Sequence, residues 1–218
     1  MDEQSQYIHA LRFPWLNAIY DPIVALTTRD RLAKKEIIDH IPDTAASLLD
    51  VASGTGTLSR AISRALAACE VHGVDGDVDM VRRAGRLAMG EGLELNYAEG
   101  LAQELPYDDA SFDVVTASLF FHHLTLENKN LALQEISRVL KPNGVLLISD
   151  WGKPLNWFSR ASFLLVQCLD GFETTRENVK GKLPSLVENA GFENVRIVSE
   201  FMAPLGTIAL IAATRAGD

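Results

Sequence analysis

Between residues 45 and 150, short apolar runs alternate with segments whose apolar positions repeat at helical spacing. The apolar runs predict five strands, over residues 46–51, 70–74, 93–98, 112–118 and 145–149. The segments between them predict helices over residues 58–68, 78–89 and 131–140. Pro142-Asn143-Gly144 predicts a turn before the fifth strand. Nearly continuous apolar strands that alternate with helices are typical of a parallel sheet covered on both faces.

The pattern changes after residue 150. Residues 155–170 and 177–190 predict two helices, with Gly191 at the end of the second, and residues 195–201 and 207–214 predict two strands. Two strands with so short a connection must be antiparallel, because a parallel return needs a dozen or more residues. The sequence therefore predicts an α/β fold with a doubly wound sheet of seven strands, mostly parallel, with one antiparallel strand near its edge.

Composition fits a globular protein and restricts its partners. The chain has 218 residues, of which 47% are hydrophobic and 22% charged. Twenty Lys and Arg against twenty-nine Asp and Glu give a net charge of −9, and phosphate binding needs clustered positive charge. We therefore expect no nucleic-acid partner. Cys69 and Cys168 lie far apart and in no metal-ligand spacing, so we expect no disulfide framework, no zinc site and no other metal.

A small-residue turn follows the first predicted strand and is the most informative stretch: Asp50-Val51-Ala52-Ser53-Gly54-Thr55-Gly56. Such a turn lets a ligand approach the backbone, and a tight turn without a ligand is the alternative. The dinucleotide fingerprint G-x-G-x-x-G needs a third glycine where Ser59 or Thr57 stands, so the match to NAD is poor. The Asp50 carboxylate would repel a pyrophosphate and attract a cation, which favours a cationic ligand without phosphate.

Asp75 ends the second predicted strand, nineteen residues after Gly56. A carboxylate at this place can accept hydrogen bonds from both hydroxyl groups of a ribose. A solvated residue or a helix N-cap is the alternative, and Asp77 could also supply that cap. Together with the turn, Asp75 predicts a site for a cationic ligand that carries a ribose.

Four separated blocks resemble the class I S-adenosylmethionine-dependent methyltransferases: Asp50 to Gly56, Asp75, Leu105 to Val115 and Glu135 to Gly144. Within that family the chain is most similar to the branch that contains ubiquinone and menaquinone C-methyltransferases and many small-molecule enzymes. The resemblance covers about residues 45–150. It implies a Rossmann-like fold, S-adenosylmethionine as cofactor, and methyl transfer to a small acceptor.

The resemblance also implies which residues bind the cofactor. Ala52 replaces the first glycine of the family's D-x-G-x-G-x-G, and Gly54 and Gly56 would let the backbone approach the methionine and ribose parts. The family often has G-D-A where this chain has Gly100-Leu101-Ala102, so backbone of Leu101 and Ala102, with Gln103 or Glu99, would read the adenine. The complete set that we expect is Tyr20, Arg31, Asp50, Ala52, Ser53, Gly54, Gly56, Asp75, Gly76, Met80, Leu101, Ala102 and Ser118. Arg29 and Arg31 could reach the methionine carboxylate of the cofactor, as an arginine near the N-terminus does in similar enzymes, and surface charge is the alternative for both.

The acceptor should lie outside the carboxyl ends of the strands, where His122 follows the fourth strand. His122 is the candidate general base, and a structural histidine is the alternative. The substrate-binding residues that we expect are Trp15, Phe120, His123, Trp151 and Trp157. Apolar walls favour an apolar or aromatic acceptor. The aromatic-rich residues 11–22 would form a lid with Tyr20 facing the cofactor, and sheet cover or a homodimer contact is the alternative.

These features predict one domain over residues 1–218. Within it we expect an N-terminal helical cap over 1–44, a cofactor-binding core over 45–150, substrate-side helices over 151–190 and a strand pair over 191–218. The first residues lack the basic start and apolar stretch of a signal peptide, and no apolar run approaches the ~20 residues that span a bilayer. We therefore expect a cytoplasmic protein without a transmembrane segment.

Three other functions remain open at this stage. Methylation of a protein is one, whereas nucleic-acid amino methylation is disfavoured because Leu119-Phe120-Phe121-His122 is unlike the N-P-P-Y motif of those enzymes. A cofactor-binding protein that transfers no methyl group is the second. An NAD-dependent oxidoreductase, weakened by the missing third glycine, is the third.

Overall fold

The computed structural model describes residues 27–217. Its helices are α1 (Asp30–Asp39), α2 (Thr57–Ala65), α3 (Val78–Gly90), α4 (Leu126–Val139), α5 (Trp157–Asp170), α6 (Arg176–Val179) and α7 (Leu183–Asn189). Its strands are β1 (Ser47–Val51), β2 (Glu70–Asp75), β3 (Asn96–Glu99), β4 (Phe112–Ser118), β5 (Leu140–Trp151), β6 (Phe192–Ala203) and β7 (Gly206–Arg215). A short 3-10 helix spans Phe121–His123. The lid predicted over residues 11–22, with Trp15 and Tyr20, lies outside the described residues.

The seven strands form one sheet in the order β3-β2-β1-β4-β5-β7-β6. Every neighbouring pair from β3 to β5 is parallel, whereas β7 runs antiparallel to both β5 and β6. The predicted α/β architecture is confirmed, including the single antiparallel strand next to the edge. Because β1, β2, β4 and β5 point the same way, their carboxyl ends meet at one edge of the sheet.

Some boundaries differ from the prediction. Helix α4 begins five residues earlier than expected, at Leu126, because the Thr125 side chain caps its first turn by accepting from the Asn128 amide. The helix predicted over 177–190 is two helices, with Gly181 in the left-handed region (φ +65°) between them.

The predicted turn at 142–144 lies within β5 as a bulge. Leu140 pairs with Phe112 and Val145 pairs with Val114, so the β5 side carries extra residues between these two pairs. Asn143 takes a left-handed conformation there (φ 62°), as a residue of the expected turn would. The hydrogen-bonded ladder resumes after the bulge, which makes β5 twelve residues long rather than five.

Successive side chains of each strand point to opposite faces of the sheet, and they contribute to two apolar layers, one on each face. Leu48 and Leu147 pack with Ile37 of α1 and Ile62 of α2 on one face. The other face carries a larger cluster that α4 and α7 complete: Leu49, Val51, Val115, Leu146, Leu133, Ile136 and Val187. These layers hold the strand ends, and thus the turns that follow them, in fixed positions. Among residues 27–217, no helix is both long enough and apolar enough to cross a bilayer.

Lys129 of α4 is fully buried, which is rare for a lysine. Its ammonium donates to the carbonyl oxygens of Leu124 (2.8 Å) and Thr174 (2.5 Å) and lies 3.9 Å from a carboxylate oxygen of Glu177. Burial lowers the pKa of Lys129, and the carboxylates of Asp150 and Glu177 oppose that shift. The side chain thereby joins the start of α4 to the chain around α6.

Replacement of Lys129 tests this link. Lys129→Met keeps much of the side-chain volume but leaves two buried carbonyl oxygens and the Glu177 carboxylate without their donor. We expect the free energy of unfolding to fall by about 2–4 kcal/mol, measured by urea denaturation at neutral pH. Lys180→Met, at an exposed lysine nearby, is the matched control and should change stability very little. Equal stability of the two variants would contradict the role of Lys129.

Candidate active site

The turn between β1 and α2 uses the left-handed region at alternate residues. Ala52, Gly54 and Gly56 have φ angles of 55°, 53° and 71°. The turn is closed by hydrogen bonds from the Gly56 amide to the Ser53 carbonyl (2.8 Å) and from the Ser53 amide to the Val74 carbonyl of β2 (2.9 Å). Ala52 thus adopts a conformation that glycine adopts more easily, so replacing the family's first glycine changes backbone strain as well as size.

The two glycines of the turn have different surroundings. A Cβ atom at Gly54 would meet no heavy atom within 4 Å, so its Cα faces open space. A Cβ atom at Gly56 would collide with the ring of Tyr97 and lie 3.1 Å from the Ala84 side chain. Tyr97 also occupies the space beside Gly73. Gly54 therefore leaves room for a ligand, whereas Gly56 leaves room for the protein's own tyrosine.

The carboxylate of Asp50 is buried beneath the turn. It accepts hydrogen bonds from the hydroxyl groups of Ser59 on α2 (2.6 Å) and Thr116 on β4 (3.0 Å). Burial raises the pKa of Asp50 to about 6, although both hydrogen bonds act in the opposite direction. These two hydrogen bonds tie β1 to α2 and β4. The attraction of Asp50 to a cationic ligand stays a prediction.

Asp75 lies at the carboxyl end of β2, next to the turn. One carboxylate oxygen accepts from the Gly54 amide (2.8 Å), and the other accepts from the Asp77 amide (2.9 Å). The N-cap of α3 is Asp77, which accepts from Asp79 and Met80, so Asp75 does not serve as that cap. A carboxylate oxygen can accept more than one hydrogen bond, so Asp75 keeps capacity for hydroxyl donors.

The residues expected to contact adenine surround the ends of β2 and β3. Met80 is buried in the first turn of α3, and Gly76 is half-buried before it. Ala102 is buried, whereas Leu101 is exposed at a tight turn in which the Glu104 amide donates to the Leu101 carbonyl (3.0 Å). An open groove of about 440 Å³ lies along this turn and is lined by Glu99, Gly100, Leu101, Glu104, Leu105 and Pro106.

Two further residues of the expected set, Ser53 and Arg31, lie apart from this groove. The Ser53 hydroxyl oxygen is buried and has no hydrogen-bond partner among the described residues. Arg31 is exposed on α1. The guanidinium of Arg29 donates to the Met202 carbonyl (3.3 Å), which holds it against the β6–β7 hairpin.

His122 lies at the carboxyl edge, between the ends of β4 and β5. It is 4% exposed, and its Nδ1 atom lies 2.7 Å from a carboxylate oxygen of Asp150. The His122 amide donates to the second oxygen of Asp150 (3.2 Å), and the Trp151 amide donates to the first (2.6 Å). Burial alone would raise the pKa of Asp150, but the charge and hydrogen bond of His122 outweigh it and hold that pKa below its usual value.

The other ring nitrogen of His122 faces Asp170, the last residue of α5. Nε2 lies 3.6 Å from one oxygen of Asp170, and Nδ1 of His123 lies 3.9 Å from the other. The two imidazole centroids are 3.9 Å apart. Burial, together with His122, lowers the pKa of His123 to about 3, so that ring is neutral at physiological pH. Burial raises the pKa of Asp170.

The other residues predicted at the acceptor side are only partly brought together. Trp151 is buried and packs against Phe163, with ring centroids 5.4 Å apart, so it belongs to an apolar cluster behind His122. Phe120 is half-buried against Phe121, and Ser118 is half-buried at the end of β4. Trp157, in contrast, is 81% exposed at the first residue of α5.

Comparison with known proteins shows the family to which this fold and this turn belong. Residues 49–148 match the family described as "Methyltransferase domain". A ubiquinone/menaquinone biosynthesis C-methyltransferase UbiE from Teredinibacter turnerae is 30% identical over 171 residues, covering 68% of this chain and 68% of that protein. The chain belongs to the class I S-adenosylmethionine-dependent methyltransferases. As a member of this family, the methyltransferase uses S-adenosylmethionine as its cofactor, and the alternative of an NAD-dependent oxidoreductase is excluded.

Other relatives extend the comparison. An uncharacterized methyltransferase from Synechocystis sp. is 26% identical over 187 residues, which are 85% of each chain. A demethylmenaquinone methyltransferase from Deinococcus radiodurans is 34% identical over 135 residues, covering 62% of this chain and 54% of that protein. A solved S-adenosylmethionine-dependent methyltransferase from Aquifex aeolicus has the same fold, with a TM-score of 0.68 at 18% identity over 94% of this chain and 100% of that one.

The turn of this methyltransferase fits the cofactor. The open space at Gly54 would admit a ligand close to the backbone, and Asp75 beside it keeps acceptor capacity for the ribose hydroxyls. Contacts from the remaining residues of the predicted cofactor set stay predictions. Asp50 lies behind the turn rather than in it, which makes it a support for the binding backbone.

Sequence reasoning missed three residues that shape this site. Tyr97 fills the space beside two glycines, Asp170 faces the histidine pair, and Lys129 is a buried lysine close to Asp150. Strand periodicity gives no sign of Tyr97. Asp170 approaches His122, and Lys129 approaches Thr174 and Glu177, only through long-range packing. Gly73 was a usable signal, because glycine in a strand interior marks a close approach of another group.

The two glycines of the turn offer a matched pair of tests. Gly56→Ala introduces backbone strain and a collision with Tyr97, so we expect it to lower the free energy of unfolding by roughly 2–4 kcal/mol. Gly54→Ala introduces only the strain, about 1–2 kcal/mol, but fills the space over which a ligand would lie. Calorimetric titration should show that Gly54→Ala weakens S-adenosylmethionine binding by more than about tenfold while it remains folded. Normal affinity in Gly54→Ala would remove this glycine from the cofactor site.

The raised pKa of Asp50 predicts an unusual pH dependence. Because the folded-state pKa of about 6 exceeds the unfolded value, the folded state holds the proton more tightly, and stability falls as pH rises from about 4 to 6. Asp50→Asn should therefore gain stability relative to the wild type over that interval, by roughly 2–3 kcal/mol in urea denaturation.

Asp113 supplies the opposite control. Burial would raise its pKa, but donors from Lys141, Ser47 and Ala46 hold that pKa below its usual value. Asp113 therefore stabilises the fold above its unfolded pKa, and this contribution is lost on acidification. Asp113→Asn should accordingly cause its largest loss of stability at neutral pH. If the stabilities of Asp50→Asn and Asp113→Asn relative to the wild type changed with pH in the same direction, the raised pKa would not belong to Asp50.

Proposed function

We propose that this methyltransferase transfers a methyl group to a small, apolar or aromatic acceptor that binds at the carboxyl edge of the sheet. The observation that carries the proposal is the buried Asp150–His122 pair at that edge, in which Nδ1 of His122 is held by Asp150 and Nε2 lies 3.6 Å from an oxygen of Asp170. A histidine oriented in this way is the arrangement that general-base catalysis requires.

The sheet topology supports a shared site. The turn with Gly54 follows β1, Asp75 ends β2, Ser118 ends β4, and Asp150 lies one residue before the end of β5. These four strands are parallel and adjacent, so the cofactor residues and the His122 pair lie along one edge.

Apolar side chains around this edge support the acceptor class. Phe120, two residues before His122, is half-buried at this edge, and the apolar cluster that contains the buried Trp151 lies behind His122. Relatives are named for ubiquinone/menaquinone biosynthesis and for demethylmenaquinone, which supports a hydroxylated aromatic ring as the first acceptor to try. The acidic composition of this chain supports the exclusion of nucleic acid.

Each residue of the pair has a defined task in this proposal. When bound, S-adenosylmethionine supplies a methyl carbon on a positively charged sulfur, which is already an electrophile. His122 accepts the acceptor's proton at Nε2 while the freed electron pair of the acceptor bonds to the methyl carbon. The carbon–sulfur bond of the bound cofactor would break in the same step with its electron pair kept by sulfur, so that S-adenosylhomocysteine would be the second product. Asp150 holds the ring through Nδ1 and stabilises the positive charge that forms on it.

An acceptor screen tests the proposal. The purified protein is mixed with S-adenosylmethionine and with quinols, substituted phenols, a protein mixture or transfer RNA, and S-adenosylhomocysteine is quantified by mass spectrometry. We expect turnover with an aromatic hydroxyl compound. Turnover confined to the protein mixture would establish the protein-methyltransferase alternative, and cofactor binding without any turnover would favour a binding protein.

The organisation of the whole chain belongs to this proposal. We regard residues 1–218 as one domain in which 1–44 cap the site, 45–150 bind the cofactor, 151–190 border the acceptor and 191–218 complete the sheet. The contributions of Trp15 and Tyr20 stay predictions, because both lie outside the described residues.

Replacement of His122 tests the base. His122→Ala should lower turnover of the acceptor found in the screen by about 100-fold with unchanged S-adenosylmethionine affinity. Asp150→Asn should also lower turnover, because Asn holds the ring without the negative charge. His40→Ala, at the end of α1, is the control and should keep full activity. If His122→Ala unfolds, His122→Gln serves in its place, and near-normal turnover in a folded variant would make His122 structural.

A further inference from the structure

His122, His123 and Asp170 converge on one point although they come from different elements. The histidines form the end of the 3-10 helix after β4, and Asp170 is the last residue of α5. Consecutive residues commonly point apart, but these two imidazole rings lie side by side with centroids 3.9 Å apart. One ligand atom from each of the three residues lies within 4.8 Å of the other two.

The separations are too long for hydrogen bonds and suit a shared cation. The distances of 3.6 Å and 3.9 Å from the imidazole nitrogens to the Asp170 oxygens exceed the usual 2.7–3.2 Å range of a hydrogen bond. Ligand atoms bonded to a tetrahedral cation at about 2.1 Å lie roughly 3.4 Å apart. The two distances end on different oxygens of Asp170, and the three ligand atoms lie within 4.8 Å of one another. Binding one ion therefore requires the ligand atoms to approach each other by up to about 1.4 Å.

Asp150 supplies the outer contact that metal-binding histidines require. It lies 2.7 Å from Nδ1 of His122, and because a carboxylate only accepts, the hydrogen is on Nδ1 and the lone pair is on Nε2. Nε2 is the atom that faces Asp170. His122 is thus fixed in the tautomer and orientation in which it can donate a lone pair to a metal ion.

The surrounding charges also favour a cation. Asp150, Asp170 and Glu177 carry three negative charges, and Lys129 carries one buried positive charge that faces Asp150 and Glu177. The region therefore has an excess of two acidic groups over basic ones. A divalent cation would neutralise that excess in a largely desolvated environment, where unpaired charge is expensive.

We propose that Nε2 of His122, Nδ1 of His123 and the Asp170 carboxylate form a binding site for a divalent transition-metal cation. Two imidazoles and one carboxylate select Zn²⁺, Co²⁺ or Fe²⁺ rather than Mg²⁺ or Ca²⁺. Three protein ligands leave a coordination position for water or an acceptor oxygen. This proposal replaces the expectation of no metal, which was drawn from the spacing of the two cysteines and did not consider histidines. A bound cation uses the same lone pair that would take the acceptor's proton, so the two uses of His122 exclude each other.

Cobalt binding to the untagged, cofactor-free protein tests the proposal without any methyl transfer. Co²⁺ is titrated while its visible ligand-field absorption and the heat of binding are recorded. We expect one ion per chain, the intense absorption of a four- or five-coordinate Co²⁺ with nitrogen ligands, and displacement by Zn²⁺ but not by Mg²⁺. Asp170→Asn and His123→Asn should each weaken binding by at least tenfold, and Asp150→Asn by about 10–100-fold.

Two variants separate this site from unspecific binding. Glu173→Gln removes an exposed carboxylate near Asp170, and Cys168→Ser removes the exposed thiol of α5. Both should bind Co²⁺ as the wild type does. Binding to the wild type that is no tighter than binding to Asp170→Asn would overturn the proposal, as would loss of binding in Cys168→Ser. Because neither acceptor nor S-adenosylmethionine is present, failure of this test leaves the proposed methyl-transfer function to its own experiment.

Discussion

The hydrogen bonds of the buried Asp50 carboxylate are the contact on which the cofactor side of the molecule depends. They join β1 to α2 through Ser59 and to β4 through Thr116, directly behind the turn. The turn itself contains three residues in the left-handed region, and such a segment keeps its shape only when its surroundings enforce it. The hydrogen bonds of Asp50 fix β1, where the turn begins, and Asp75 fixes the middle of the turn by accepting from the Gly54 amide.

Asp50 and Asp150 show how partners decide the state of a buried acid. Both carboxylates are almost completely inaccessible. Asp50 has neutral hydroxyl donors, and its pKa is raised, whereas Asp150 has an imidazole and two amides, and its pKa is lowered. One edge of the sheet thus carries a carboxyl group that is easily protonated and another that stays charged. The first suits support of a backbone, and the second suits control of a histidine.

Sequence reasoning succeeded where local chemistry decides the structure. Continuous apolar strands and the short link before β7 predicted the sheet and the directions of its strands. It failed where long-range packing decides. The exposure of Trp157, the burial of Trp151 and the approach of Asp170 to His122 depend on how α5 lies on the sheet, and no periodicity within α5 reports that placement.

The position of Tyr97 links the edge strand to the cofactor turn. Its ring occupies volume that Gly56 on one element and Gly73 on another leave free. These three positions, spread over about 40 residues of the chain, therefore behave as one steric unit. A larger residue at either glycine requires a smaller one at position 97. A chimera that joins the β1–α2 segment of this chain to a foreign scaffold would have to bring β2 and β3 with it, because the floor of the turn is built by strands that come later in the chain.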